Sequence, residues 1–376
     1  MKGGCIPLNI MLACKIMETI DEYIKMLKIQ LGSEMSKRKL IYLDLNFWIN
    51  LRKCAANEKV EDDFYRFYNL LLPLVEKQKV LCPISHSVFS ELLKQNDLDS
   101  RIKTAKVIDL FSNSVTLIFE FEREELELQY YIRQKLLNES FLTPIEQYVW
   151  VKIPYILGVA IPYNDNVDAE TQKEIQFKCF KYSWTITLEE MMRNYLRNSV
   201  LPFLDTSQRA AKLNEGKFAH SDEMKSLSNL FKMELRGALS IIIEVVNDYF
   251  KILSKNKPEI LSLLSSKLDI KSPKEFCNKI EGDILKDKIG KYLPDIYINT
   301  CIHTLMRWDK DRQFKANDIY DFEHARAALP YFQYFFTEGP LKHMLSIKPY
   351  ELSKKYNCIV ENDIKKINKI LLKMAS

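Results

Sequence analysis

Short apolar runs alternate with helical periodicity over the first third of the chain. Residues 39–43 predict a strand that stops at Asp44, and helical spacing of the apolar residues begins directly after it. Residues 80–84 predict a second strand, which Pro83 places at a sheet edge or at a strand end. Residues 115–119 predict a third strand, and helices are predicted between the strands. Strands that alternate with helices are typical of a parallel sheet covered on both faces.

This alternation stops after about residue 121 and returns near the C-terminal end. Residues 122–314 have helical spacing with few strand signals, which predicts a large insertion. The later pattern predicts a helix, strands at 334–337 and 357–360, and a closing helix capped by Asn362. We therefore expect an α/β fold in which a parallel sheet with helices on both faces is interrupted by a mainly α-helical insertion.

Length and composition agree with this expectation. A chain of 376 residues exceeds what one hydrophobic core usually spans, which predicts two units or one domain with an insertion. Hydrophobic residues make up 47% and charged residues 28%, and glycine and proline are few, so disordered, collagen-like and low-complexity classes are excluded. We expect no membrane span, no secretory signal and no membrane partner. The scattered cysteines, without CxxC pairs, are typical of reduced thiols in a cytoplasmic protein.

Positive charge is concentrated at the C-terminal end. Residues 339–376 alone carry a net charge of +5, which equals the net charge of the whole chain. The closing helix supplies four of these lysines as candidates for binding the phosphates of a nucleic acid, namely Lys365, Lys366, Lys369 and Lys373. A solvated, lysine-rich helix face produces the same pattern, so both interpretations stay open.

Acidic residues lie where the predicted strands end. Asp44 ends the first strand, Glu91 lies on the helix after the second, and Glu338 follows the strand at 334–337. Asp318 and Asp321 share one face of a helix because they are three residues apart. Ligands of parallel sheets bind outside the carboxyl ends of the strands.

A metal ion would explain such a cluster, which has no partner cation near it in the sequence. Carboxylates that pack together raise each other's pKa, and a divalent cation relieves that cost. Oxygen ligands without cysteine or a histidine pair favour Mg²⁺ or Mn²⁺ over zinc.

Each of these residues also has an ordinary structural explanation. Asp44 and Asp318 are suited to cap helices, and Glu91 suits a solvated helix face. His86 and His324 lie near the acidic residues in sequence, and we expect them to be core or surface residues, with orientation of a carboxylate as the alternative. Signatures of phosphate-binding loops, Rossmann domains, serine hydrolases and zinc peptidases are absent from the sequence.

Four segments together resemble the PIN-domain nucleases. The stretch IYLDLNFWINL at 41–51 resembles their opening strand and helix, and CPISHSVFSELL at 82–93 resembles their second block. The stretch NDIYDFEHARAALPYFQYFFTEGPLKHML at 317–345 is similar to the third block, and YNCIVENDIKKINKILLKM at 356–374 to the closing strand and helix. The resemblance implies four segments: an N-terminal helical extension (1–35), a PIN-like domain in two halves (36–121 and 315–376) and the helical insertion between them (122–314).

The same resemblance implies the roles of individual residues. The metal ligands would be Asp44, Glu91 and Asp321, with Asp318 able to share the third role and Glu338 in the fourth. Asn46 and Thr337 take polar positions that support the ligands. Gly339 and Pro340 stand where a second acidic residue is common in the family, a departure that bears on a second metal ion.

These roles imply a metal-dependent endoribonuclease that hydrolyses RNA phosphodiester bonds with one or two Mg²⁺ or Mn²⁺ ions. A PIN-like module that has lost catalysis and works in RNA binding or assembly is the alternative, and a DNA substrate stays open. A homo-oligomer or a regulatory protein partner is compatible with the sequence.

Overall fold

The computed structural model describes residues 19–137, 144–196, 205–220, 225–286 and 290–375. The strands in these ranges are β1 (Lys39–Leu43), β2 (Val80–Leu81), β3 (Val115–Leu117), β4 (Trp150–Lys152), β5 (Tyr334–Phe336) and β6 (Ile359–Glu361). The helices of the N-terminal part are α1 (Ile20–Met35), α2 (Leu45–Ala55), α3 (Asp62–Glu76), α4 (His86–Leu93), α5 (Leu98–Ser112) and α6 (Glu120–Tyr130).

Helices continue through the middle and the C-terminal part of the chain. The middle part contains α7 (Ala169–Ser183), α8 (Leu188–Glu190), α9 (Thr206–Ala219), α10 (Leu227–Asn256), α11 (Pro258–Leu268), α12 (Pro273–Leu285) and α13 (Pro294–Trp308). The C-terminal part contains α14 (Ala316–Tyr331), α15 (Gly339–Ser346), α16 (Leu352–Lys355) and α17 (Ile364–Ala375). Short 3₁₀ turns lie at Ile145–Gln147 and Ile153–Tyr155, and π-helical turns at Tyr131–Leu136 and Met191–Tyr195.

Four parallel strands form the main sheet in the order β2-β1-β5-β6. Leu43 of β1 lies opposite Phe336 of β5, and Phe336 lies opposite Glu361 of β6. All of β1 beyond Lys39 is buried, as expected of a central parallel strand. The predicted α/β class and the strand at 39–43 are therefore confirmed.

The topology defines a switch point between β1 and β5. From β1 the chain passes to β2 on one side, and from β5 it passes to β6 on the other side. Connections that diverge from two neighbouring strands leave a crevice at the carboxyl ends of those strands, where ligands of open parallel sheets bind.

One prediction about the strands is wrong. We expected β3 in the parallel sheet, but it pairs antiparallel with β4 in a separate two-stranded sheet. Thr116 of β3 also forms a single parallel bridge with Ile84, three residues after β2. β4 lies in the mainly helical segment with few strand signals and was not predicted individually, because a strand of three residues is too short to show alternation.

The predicted cap of the closing helix is also wrong by one residue. The Asp363 carboxylate accepts hydrogen bonds from the amides of Lys365 and Lys366, at 2.9 and 3.4 Å, so it occupies the position assigned to Asn362. At the start of α4 the Ser85 hydroxyl accepts a hydrogen bond from the Ser87 amide at 3.3 Å and so caps the helix.

One large hydrophobic core runs from the sheet into the helical middle part of the chain. It includes Trp48 and Phe335 around the sheet as well as Ile280 of α12. Trp48 is fully buried, and its indole N–H donates to the Leu43 carbonyl at 3.1 Å, so its one polar group is satisfied. The boundaries of the implied segments at 36, 122 and 315 stay predictions.

None of the described helices is long and apolar enough to cross a membrane.

Candidate functional site

Asp44 lies at the switch point of the sheet. It follows β1 directly, and its backbone N–H donates to the carbonyl of Phe336, the last residue of β5, at 3.2 Å. Thr337 and Glu338 follow β5 at the same edge. The sequence predicted that Asp44 and Glu338 share this edge, and the topology brings them there.

The Asp44 side chain is both a helix cap and a buried carboxylate. One of its oxygens accepts a hydrogen bond from the Phe47 amide of α2 at 3.4 Å, and the residue is 6% exposed. Burial raises the pKa of Asp44 from 3.8 to about 7, against the opposing effects of His324 and Thr337. The Thr337 hydroxyl is buried beside the Asp44 carboxylate, close enough to lower its pKa through hydrogen bonding.

Glu91 is held by a buried hydrogen-bonded chain. His324 Nε2 lies 2.8 Å from the Glu91 Oε2, and because an ionised carboxylate only accepts, this nitrogen is the donor. His324 Nδ1 shares a hydrogen bond of 2.7 Å with the Tyr42 hydroxyl, which lies 2.6 Å from the Ser85 hydroxyl. Burial lowers the pKa of His324, but the charge and hydrogen bond of Glu91 outweigh burial, so the net shift is upward.

Asp321 and Glu338 complete the acidic group. Burial raises the pKa of Asp321 to about 6, His324 opposes this rise, and the charges of Asp318, Glu338 and Glu91 add to it. Glu338 also adds to the raised pKa of Asp44, although its own side chain is exposed. Each of the carboxylates at 44, 91, 321 and 338 thus affects the pKa of at least one neighbour in this group. The pKa of His324 is affected by three of them.

Asp318 has partners of its own. Its carboxylate accepts from the Arg312 guanidinium at 3.0 Å and from the Lys315 amide at 2.8 Å. This is the arrangement of a helix cap with an adjacent ion pair, one of the two roles that the sequence left open for Asp318.

Two groups of predicted residues lie at the margin of the site. Asn46 is exposed on the first turn of α2, and its side chain accepts from Asn50 at 3.2 Å. The lysines of α17 are exposed along a helix that starts close to the carboxyl end of β6. Lys365 and Lys366 thus lie near the edge that holds the acids. Lys373 lies toward the opposite end, where Lys79, the residue before β2, contacts the carbonyls of residues 374 and 375.

The residue types of the acidic group suit a cation that binds oxygen ligands, but their positions suit such a cation only in part. Within the described ranges, no three His, Cys, Asp or Glu side chains lie close enough together to hold one metal ion. Mg²⁺ commonly takes only one or two carboxylates, and water and substrate phosphates complete its shell. Buried carboxylates with raised pKa values are groups that such an ion would stabilise. Asp44 and Asp321 are the best-suited protein ligands.

Tyr42 is the residue of this site that the sequence interpretation missed. His324 was expected in the core or at the surface, with orientation of a carboxylate as the alternative, and it is both buried and in contact with Glu91. The sequence showed no cation close to these acids, but in the fold His324 contacts Glu91 and Arg312 pairs with Asp318. A usable signal existed, since His324 follows Asp321 by three residues and therefore shares its helix face.

Comparison with known proteins gave no match. No family model, no curated protein and no solved structure matches the chain.

Proposed function

We propose that the protein is a metal-dependent endonuclease of PIN-like fold that hydrolyses RNA phosphodiester bonds. The observation that carries the proposal is the buried Asp44 carboxylate at the switch point of a parallel sheet, with Glu91, Asp321 and Glu338 acting on the same region. Ionised carboxylates gathered in a buried place are costly without a cation, which favours a metal-binding role over a purely structural one.

Asp44 and Asp321 would hold a Mg²⁺ or Mn²⁺ ion. Such an ion polarises a scissile phosphate and lowers the pKa of a bound water. His324 is a positioning residue in this scheme, because its Nε2–H occupies one oxygen of Glu91 at 2.8 Å. The other oxygen of Glu91 is then oriented to accept a hydrogen bond from a water in the site.

A nucleic acid is the substrate class that the surroundings favour. Lys365 and Lys366 are exposed near the acidic edge, where they would contact phosphates on either side of the scissile bond. Carboxylate-bound metal ions do not select the sugar, so the choice of RNA over DNA rests on the resemblance to PIN-domain nucleases.

A catalytically inactive RNA-binding or assembly module of the same fold is the second candidate. The placement of the acids favours it, since no three of the described His, Cys, Asp or Glu side chains are grouped to hold one ion. Gly339 and Pro340 also favour the inactive module, because they begin α15 at the position where PIN-domain nucleases commonly have another acidic residue.

Cleavage of matched RNA and DNA oligonucleotides decides between these candidates. We expect wild-type protein to cut RNA with Mg²⁺ or Mn²⁺ and to stop when EDTA is added, whereas Asp44→Asn should be inactive. Asp168→Asn is the matched control, because Asp168 is an exposed helix cap in the middle part of the chain. RNA binding without cleavage by wild-type protein would favour the inactive module, and equal activity of wild type and Asp44→Asn would refute the proposed site.

A further inference from the structure

A cavity of about 540 Å³ lies beside the candidate site. This volume falls within the range of about 300–1,000 Å³ that is usual for small-ligand sites. The cavity is lined by Ser90 of α4 and Tyr320 of α14, the residues just before Glu91 and Asp321. Since successive residues of a helix point about 100° apart, the cavity and the carboxylates lie on adjacent faces of the same two helices.

Exposed apolar side chains surround the opening of the cavity. Phe121, Leu157 and Ile241 line it and are 60%, 50% and 73% exposed. Large apolar side chains that cluster at a concave surface usually mark a binding site. Phe119 packs edge-on against Phe121, with ring centroids 5.3 Å apart, so a planar aromatic ligand would meet aromatic surface.

Four carboxylates line the cavity, and two of them, Glu124 and Asp295, are bound by the Arg326 guanidinium that also lines it. The other two are Glu120 and Glu323. Glu120 pairs with His86 Nδ1 at 3.1 Å, and both oxygens of Glu323 accept from Arg326 at 3.0 Å. Each carboxylate oxygen can accept more than one hydrogen bond, so both residues keep the capacity to accept from N–H groups of a ligand. Their charge disfavours a ligand that presents acceptor atoms to this wall.

Arg209 supplies a cation at another wall of the cavity. It lies on α9, is exposed, and its guanidinium has no ion-pair partner among the residues that the structure describes. A guanidinium without an intramolecular partner is well suited to bind a phosphate through paired hydrogen bonds. The half-buried Asn299 side chain, also in the lining, can both donate and accept.

We propose that this cavity binds one nucleotide, with its base against Phe119 and Phe121, its N–H edge at Glu120 and Glu323, and its phosphate at Arg209. The inference rests on the proposed nuclease function and names the substrate unit that lies next to the scissile bond. Guanine is the favoured base, because its adjacent N1–H and N2–H₂ groups match one carboxylate. Uracil is the least favoured, because it presents two carbonyl oxygens and one N–H.

Calorimetric titration of the full chain with GMP and with UMP tests the inference. We expect GMP to bind and UMP to bind at least about tenfold more weakly. Phe121→Ser and Arg209→Gln should each weaken GMP binding by about tenfold or more, the loss expected from removing a stacking surface or a phosphate contact. Both side chains are exposed, so these variants should fold.

Two controls match these variants. Phe218→Ser removes a more exposed phenylalanine, and Lys212→Gln removes an exposed cation of α9 that does not line the cavity. Both should bind GMP like wild type. Absence of GMP binding, equal binding of GMP and UMP, or equal losses in variants and controls would overturn the inference.

The source of the nucleotide and the proposed activity are tested separately. The Asp44→Asn protein is titrated with GMP and with a five-nucleotide RNA that contains one guanosine. If the cavity holds a unit of the substrate, the RNA should bind more tightly than GMP. If the cavity holds a free nucleotide, GMP should bind as tightly as the RNA. Cavity-dependent GMP binding by a wild-type protein that cuts no RNA would refute the proposed function alone. RNA cleavage that depends on Asp44, without any effect of Phe121→Ser or Arg209→Gln on GMP binding, would refute the inference alone.

Discussion

The buried position of the Asp44 carboxylate lowers the stability of the folded protein when the carboxylate is ionised. Its carboxylate is 6% exposed, and burial is the largest cause of its raised pKa. The ordinary roles of an aspartate after a strand, a turn or a helix cap, leave the carboxylate in water. The combination of cap, burial and acidic neighbours is the reason for proposing that Asp44 binds a cation.

Asp44→Asn should stabilise the metal-free protein at high pH. Below pH 3.8 the carboxyl is protonated in the folded and the unfolded chain, so it has no effect on stability. Between 3.8 and about 7 it ionises first in the unfolded chain, so stability falls as pH rises, and above about 7 the full penalty applies. Asparagine is neutral and also caps helices well.

Melting temperatures of both proteins in EDTA from pH 4 to 8.5 check this expectation. The advantage of Asp44→Asn should be on the order of a few kcal/mol at pH 8 and should shrink toward pH 4. An advantage that does not depend on pH, or a variant less stable than wild type at pH 8, would mean that burial of this carboxylate is not costly.

Asp321→Ala should be more damaging to activity than Asp318→Ala. Asp321 is affected by the charges of Glu91 and Glu338, whereas Asp318 is engaged by Arg312 and the Lys315 amide. Loss of a metal ligand should reduce the cleavage rate by orders of magnitude, and loss of a cap should cost about 0.5–2 kcal/mol of stability. Rate and thermal stability are recorded on both variants. An inactive Asp318→Ala beside an active Asp321→Ala would place the third ligand one turn earlier.

Individual strands and helices show which parts of the fold could be predicted from the sequence and which could not. The strand at 39–43 was predictable because an apolar run with polar boundaries is a local signal. The pairing of β3 with β4 was not, because it depends on contact between residues more than 30 positions apart. The acids at strand ends stood out by residue type, but the contact between His324 and Glu91 depends on how α4 and α14 pack.

The lysines of α17 are spread along the helix, so some lie near the acidic edge and others far from it. Lys365 and Lys366 lie near the acidic edge, and Lys373 lies about 12 Å further along the helix. Replacing the first pair by serine should lower the slope of log K against log salt for RNA binding by roughly 0.7–0.9 for each lost contact. The matched change of Lys369 and Lys373 should leave the slope unchanged. Equal slopes for both double variants and wild type would mean that the helix is only a solvated face.

Gly32 is required where α1 crosses the turn at residues 145–147. A Cβ atom there would lie 2.1 Å from the Gln147 carbonyl oxygen, which is backbone and cannot move easily. Gly32→Ala should destabilise the protein by about 1–3 kcal/mol, as overpacking does. Gly237→Ala, in open space on α10, should stabilise it by up to about 1 kcal/mol. Urea unfolding measures both, and a neutral Gly32→Ala would show that α1 does not pack this closely.

At the scale of the whole molecule, a buried charge network joins the helical middle part to the helix that carries Asp321. Asp295 of α13 is 1% exposed and accepts from Arg123 of α6 at 3.0 Å and from Arg326 of α14 at 2.9 Å. Its backbone N–H donates to Glu127 at 3.1 Å. The network and the shared core indicate that the middle part supports the candidate site instead of being an independent appendage.

Asp295→Asn should destabilise the whole chain in one transition. It leaves two buried guanidinium groups underpaired, which typically costs about 3–5 kcal/mol. The matched change Asp248→Asn breaks an exposed pair with Lys251, which water and salt screen, and should have little effect on stability. Urea unfolding followed by circular dichroism measures both. Two separate transitions, or a loss as small as that of Asp248→Asn, would show that the network does not couple the two parts.

The central claim is that Asp44 at the switch point helps to hold a divalent cation. Titration of the protein with Mn²⁺, with free Mn²⁺ followed by electron paramagnetic resonance, tests it most directly. We predict that wild-type protein and Asp168→Asn bind Mn²⁺ with the same affinity and that Asp44→Asn binds at least about tenfold more weakly, as expected when a ligand is lost. Failure of the wild-type protein to bind Mn²⁺, or equal binding by wild type and Asp44→Asn, would contradict the claim.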